Sequence, residues 1–127
     1  MPKKTIKHAL VAHCRLNPYG YKLKFVVTEG RVGDAAKEFG ILTEFDDEYE
    51  AYAQLGSVSY IIVGEKFLTY GNIAHEVQHL VDDLFAAIGH APDGGVDEAK
   101  SYMAGFIHTF IYKEIAEKGL WIRHDEE

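Results

Sequence analysis

Apolar and polar residues alternate along the first half of the chain and recur at helical spacing along the second. Residues 5–16 and 21–28 have the branched and aromatic content of strands. Between them, Asn17-Pro18-Tyr19-Gly20 suits a type I turn, with Pro second and Gly fourth. The pattern predicts a β-hairpin here, although Ile6, Ala9 and Leu10 also fit one face of a helix. Asp34 is placed to cap a short helix over 35–39, which Gly40 stops. Residues 48–55 alternate moderately, Gly56 interrupts them, and 57–63 are β-branched and aromatic, so a second hairpin is expected.

The second half changes period. Asn72 can cap a helix whose apolar residues Ala74, Val77, Leu80, Val81, Leu84, Phe85 and Ile88 recur every three or four positions until Gly89. After a loop over 90–95, a second helix is predicted over 96–117 and ends at Gly119. Its stripe is Ala99, Met103, Phe106, Ile107, Phe110, Ile111 and Ile115. So short a connection makes the two helices pack antiparallel or at an angle. Leu120-Trp121-Ile122 is then expected to fold back over an edge of the core. The architecture implied is α+β in a single domain, 1–127. An antiparallel-rich sheet of about four strands (1–66) precedes a two-helix unit (70–119) and a tail (120–127).

Composition narrows the function. A chain of 127 residues with 47% apolar content is one globular domain and is too apolar to be disordered. Thirteen basic against twenty acidic residues leave −7, which argues against nucleic acid or an anionic membrane as partner. No apolar run reaches the roughly 18–20 residues of a membrane helix, and Ala9–Ala12 is too short for a signal-peptide core. The single cysteine, Cys14, excludes an intramolecular disulfide framework and is read as a small buried hydrophobe, and a reducing, cytoplasmic setting is expected. The acidic run Asp46, Asp47, Glu48 and Glu50 is read as a solvated loop and strand edge.

Seven histidines are more than a chain of this length usually carries, and two stand four apart in the first long helix. His75-Glu76-Val77-Gln78-His79 matches H-E-x-x-H. On a helix that spacing stacks both imidazoles on one face, one turn apart, where both can reach one metal ion. Glu76 stands beside them, placed to take a proton from an activated water. A catalytic zinc site needs a third protein ligand and one open position. Glu98, nineteen residues after His79 and early in the second helix, is the leading candidate. Asp97 is its main rival, with His90 and His108 weaker. Tyr102, one turn after Glu98, could aim its hydroxyl at a developing oxyanion or could simply pack. Asp82 or, on the face of His79, Asp83 could orient a ligand histidine. His8 and His13 fall in the first strand and His124 in the tail. His13 and adjacent Cys14 point to opposite faces and make a poor metal pair.

With its helix–loop–helix and downstream glutamate, this motif resembles the zincin metallopeptidases, in particular the gluzincin branch typified by thermolysin. Over 73–111, "AHEVQHLVDD" followed by "GHAPDGGVDEAKSYMAGFI" resembles small zincin-like proteins encoded by bacteriophages and prophages. Those carry H-E-x-x-H, a loop and an acidic-E-A-x-x-Y segment, here Asp97-Glu98-Ala99-Lys100-Ser101-Tyr102. The longer metzincin signature is absent, and the chain has no room for the extra domain of thermolysin-type enzymes. The resemblance implies one Zn²⁺ per chain held by His75, His79 and Glu98, with Glu76 as general base of a peptidase. It also implies that 57–63 or its hairpin partner binds a peptide substrate by strand addition. The competing expectation is a non-catalytic zincin-like scaffold, such as a phage accessory protein that binds a partner. A three-histidine metal-dependent nuclease fits less well, for want of a third histidine at suitable spacing and because of the negative charge.

Overall fold

The computed structural model describes residues 6–41, 49–89 and 94–124, with 94–97 in backbone alone. Four strands form one sheet: β1 (His8–Leu16), β2 (Tyr21–Thr28), β3 (Ala51–Gln54) and β4 (Val58–Gly64). Helix α1 (Val32–Glu38) follows β2, and a short 3-10 turn, Glu65–Phe67, leads from β4 into α2 (Tyr70–Ala87) and then α3 (Gly94–Lys118). No described helix is long and apolar enough to cross a membrane.

The spatial order is β1-β2-β4-β3. β1 pairs antiparallel with β2, and β3 with β4, so both expected hairpins form. The central β2–β4 pairing is parallel, which makes the sheet mixed and brings Lys22 opposite Val58 and Val27 opposite Val63. Burial explains the order. Phe25, Val26 and Val27 of β2, and Ile61, Ile62 and Val63 of β4, are buried on both faces, as central strands require. β1 instead alternates, with Leu10, Ala12 and Leu16 inward and Val11, His13 and Arg15 outward, as suits an edge strand.

On one face, α2 and α3 pack over the sheet. Leu23, Phe25, Ile61 and Val63 meet Ile73, Val77, Leu80 and Leu84 of α2, and Met103, Ile107, Ile111 and Ile115 of α3. On the other, α1 places Val32, Ala35 and Ala36 against Val26 and Ile62. The two long helices run antiparallel: Lys100 near the start of α3 reaches Asp82 late in α2 (3.3 Å), while Tyr70 at the start of α2 meets Tyr112 late in α3 (5.9 Å between rings). Leu120 and Ile122 fold back onto the core, whereas Trp121, expected to join them, is 81% exposed because adjacent residues of an extended segment point to opposite sides, and Arg123 donates its backbone N–H to the Leu68 carbonyl (2.8 Å).

Three boundaries differ from the sequence expectation. α2 begins at Tyr70, one turn fraction before Asn72, because the Thr69 hydroxyl accepts the Asn72 N–H (3.0 Å) and caps the helix. α1 begins at Val32, so Asp34 lies in its first turn instead of at the cap. α3 starts at Gly94, inside the expected loop. Gly89 and Gly119 stop the two long helices as anticipated, both at φ +75, a backbone region glycine enters without steric cost.

Candidate metal centre

Successive residues of a helix turn by about 100°, and α2 uses that turn to sort its side chains. Ile73, Val77, Leu80 and Leu84 face the sheet. One flank faces α3: Gln78 donates to Asp82 (3.0 Å), which also accepts from Lys100. The opposite flank faces the edge strand. There, Asn72 reaches the Glu50 carboxylate beside β3 (3.4 Å) and the Phe67 carbonyl (2.8 Å). Glu76 and His79 follow Asn72 by four and seven residues and share this flank.

His75 and His79 are exposed, and their rings meet edge to face at 4.5 Å between centroids. Their Nε2 atoms lie 3.0 Å apart. Two nitrogens on one tetrahedral zinc, each at about 2.0–2.1 Å, stand about 3.3 Å from one another. The two Nε2 atoms, within hydrogen-bonding distance of each other here, therefore stand at close to the separation a single zinc ion needs. Their exposure leaves room on the outer side for further ligands.

Glu76 is only 7% exposed and is the buried charged side chain among the described residues. The other two buried polar side chains are tied into local turns: Thr28 accepts from Gly30 N–H (3.1 Å), and Ser59 bonds Gly56 in both directions. Burial pushes the Glu76 carboxyl above its ordinary range, and the fields of His75 and His79 pull it partly back. A carboxylate raised in this way holds a proton more readily than a solvated one, which is what a general base must do in mid-reaction.

The remaining expected residues are placed elsewhere. Glu98 is exposed near the start of α3. Lys100, which faces α2, is about 200° around the helix from it. Tyr102 is 74% exposed and lines a cavity of about 410 Å³ with Asn17, Pro18 and Tyr19 of the β1–β2 turn, none of them from α2. The structure thus sets His75, Glu76 and His79 side by side on α2, and no described contact joins Glu98 or Tyr102 to them. No group of three metal-capable side chains assembles among the described residues. The Asp97 side chain, His90, and the acidic residues Asp46, Asp47 and Glu48 lie outside the described residues. His108 donates its Nδ1–H to the Ala104 carbonyl (2.8 Å) and its ring lies tilted 5.8 Å from that of Tyr112, and Asp83 is exposed with no described bond to His79. Asp82 is engaged by Gln78 and Lys100 rather than by an imidazole.

Two further residues take the positions expected of them. Cys14 is half-buried on the inner face, where burial and then Glu114 raise its thiol to about 11, too high for a reactive thiolate. His13 points outward, away from it. Of the two strands offered for strand addition, β4 is interior and β3 is the edge strand of the sheet on the side of Glu76 and His79. The sequence alone offered no signal for that choice, because strand order depends on pairings between distant residues. The chain matches no protein-family model, no curated protein and no solved structure.

Proposed function

We propose that the protein is a zinc-dependent peptidase of zincin-like design, with His75 and His79 as metal ligands and Glu76 as general base. The observation that carries this reading is the convergence of two exposed imidazole nitrogens, 3.0 Å apart, beside a buried glutamate with a raised pKa. A zinc ion there would polarise a scissile carbonyl and lower the pKa of an attacking water. Glu76 would take the proton from that water and deliver it to the leaving amine. β3, the last strand of the sheet on the side of Glu76 and His79, would hold an extended peptide by strand addition. Glu98 remains the candidate third ligand, which requires the start of α3 to approach the histidine pair when metal binds.

One observation favours the second reading, a non-catalytic zincin-like scaffold. No described contact joins Glu98 or Tyr102 to the histidine pair, so the described residues supply two ligands and a base but neither a third ligand nor an oxyanion donor. Zinc stoichiometry and cleavage separate the two. The peptidase reading expects about one zinc per chain in the wild type, loss of that zinc in His79→Ala, and cleavage of an unstructured protein that Glu76→Gln abolishes without losing metal. Zinc retained with no cleavage leaves the scaffold reading. No zinc, even after it is added back, overturns both.

A further inference from the structure

The outer face of the sheet carries chemistry that the metal centre does not use. Among the described residues, α1 covers the end of it that holds Val26 and Ile62, and Phe39 just after α1 reaches the edge of Tyr60. On the uncovered part, Arg15 stands directly opposite Lys22 and His13 directly opposite Lys24 across the β1–β2 pairing. Lys22 and Lys24 in turn face Val58 and Tyr60 of β4. These side chains line a shallow cavity of about 550 Å³. Arg15 and Lys22 are like charges directly opposite one another, which destabilises a sheet, and fold stability alone would set a carboxylate at one of these positions. None is there: the described carboxylates pair with Lys7, His8 and Lys100, and among the described residues none pairs with Arg15, Lys22 or Lys24. Lys24 instead lies over the Phe39 ring, 5.1 Å from its centre.

We propose that this cationic block, Arg15, Lys22 and Lys24 with His13, is a docking face for a carboxylate-rich segment of a protein partner. Charge complementarity and size select the occupant. The block spans one two-residue repeat along the strands, about 7 Å, and two adjacent strands across, about 5 Å. That area matches two or three neighbouring carboxylates. A nucleic-acid strand engages a longer row of phosphates and would run off onto a chain that, without those three cations, carries −10 (−7 less +3). Val11 and Val58, both more than a third exposed, flank the block and suit an apolar side chain beside the acidic ones. This face lies on the side of the sheet opposite α2, and its argument does not depend on zinc.

The test is fluorescence anisotropy of a labelled peptide in which aspartate and glutamate flank one phenylalanine, titrated with the full chain. Saturable binding is expected at about 50 mM salt, weakening at least tenfold by about 300 mM. Lys22→Glu and Arg15→Glu should each weaken it at least tenfold, while Lys113→Glu, the same charge change on exposed α3, should leave it unchanged. Arg15→Glu turns a repelling pair into an attracting one, so its melting temperature should be equal to or above that of the wild type, which separates lost docking from lost folding. Absence of saturable binding at low salt overturns the proposal, as does an equal loss in Lys113→Glu. Tighter binding of a single-stranded oligonucleotide than of the peptide would replace the partner with nucleic acid. Concentration-dependent self-association that Lys22→Glu abolishes would replace it with a second copy of this chain.

Discussion

The two long helices pack on the same face of the same sheet, yet they differ in how completely they are used. In α2, all the large apolar residues from Ile73 to Phe85 are buried, and the flank left over carries the histidine pair and Glu76. In α3, burial is confined to one ridge, Met103, Ile107, Ile111 and Ile115, while Phe106 is 49% exposed and Tyr102 more so. The difference teaches that α2 is fixed by packing over nearly its whole length and α3 mainly over its second half. A site built within two turns of α2 is therefore preorganised by the core beneath it. Glu98 stands instead on an exposed position of α3 next to Ala99, which is only partly buried against the core.

The largest expected effect tests that contrast directly. Leu84→Ala removes a fully buried α2 side chain from the main core and should cost about 2–5 kcal/mol in denaturant unfolding. Phe106→Ala on α3 removes a larger side chain but should cost less than about 1 kcal/mol, since half of it is already in water. Comparable losses from the two would show that the Phe106 side of α3 is as firmly packed as the inner side of α2.

Next in size is the metal. His79→Ala should lower zinc affinity at least about 100-fold, because removing a ligand costs more than disturbing one. Glu98→Ala sharpens the comparison. If α3 swings in to supply the third ligand, zinc affinity falls by a similar factor while Asp97→Ala is mild. If affinity is unchanged in both, the ligand set is completed from outside α3 and the role given to Glu98 fails.

What was legible in the sequence follows the same division. His75 and His79 could be paired from their spacing because four residues on a helix fix their relation without any tertiary information. The burial of Ile73 to Phe85 followed from the same periodicity. Thr69 was missed as the cap because Tyr70 and Gly71 look like strand exit and turn, and Asn72 is itself a good capping residue, although Thr69 stands three before it in a capping arrangement. The parallel β2–β4 pairing was missed because it is set by burial on both faces of two central strands and by the crossover through α1, not by any local signal. The placement of Glu98 and Tyr102 depended on the rotation of α3 about its own axis. Its stripe of Ala99, Met103, Phe106 and Phe110 is broad enough to allow more than one rotation, and the structure buries the Met103–Ile115 side. The basic outer face was hidden by a net charge of −7, which averages over the surface and says nothing of cross-strand neighbours.

A smaller effect is expected from Glu76, and its sign is diagnostic. In the unfolded chain the carboxyl titrates near 4.5, and burial raises it in the folded protein. Between those two values the folded state keeps a proton that the unfolded state has lost, so stability falls as pH rises through this window. The metal-free protein carries more of this cost at neutral pH than near the ordinary carboxylate value. Glu76→Gln should therefore raise the melting temperature of the metal-free chain at pH 7, and raise it progressively less as the pH is lowered toward the ordinary carboxylate value. Thermal melts of both proteins across that range provide the measurement. A variant that is less stable at neutral pH would mean that the carboxylate is held by favourable contacts and is not poised as a base.

The smallest effect concerns the link between the two helices nearest the candidate site. Lys100 and Asp82 are partly solvated and 3.3 Å apart, and Gln78 bonds the same carboxylate oxygen. An exposed pair of this kind contributes about 0.2–1 kcal/mol, and less as salt screens it. A double-mutant cycle with Lys100→Ala and Asp82→Ala should give a coupling in that range at low salt and close to zero at about 1 M. The same variants bear on the metal. If the start of α3 must shift to bring Glu98 to the histidine pair, the Lys100–Asp82 contact resists that movement, and removing it should leave zinc affinity equal or raise it. A fall in zinc affinity in Lys100→Ala would show instead that the observed helix register is the one that binds the metal, and the third ligand would then have to be sought off α3.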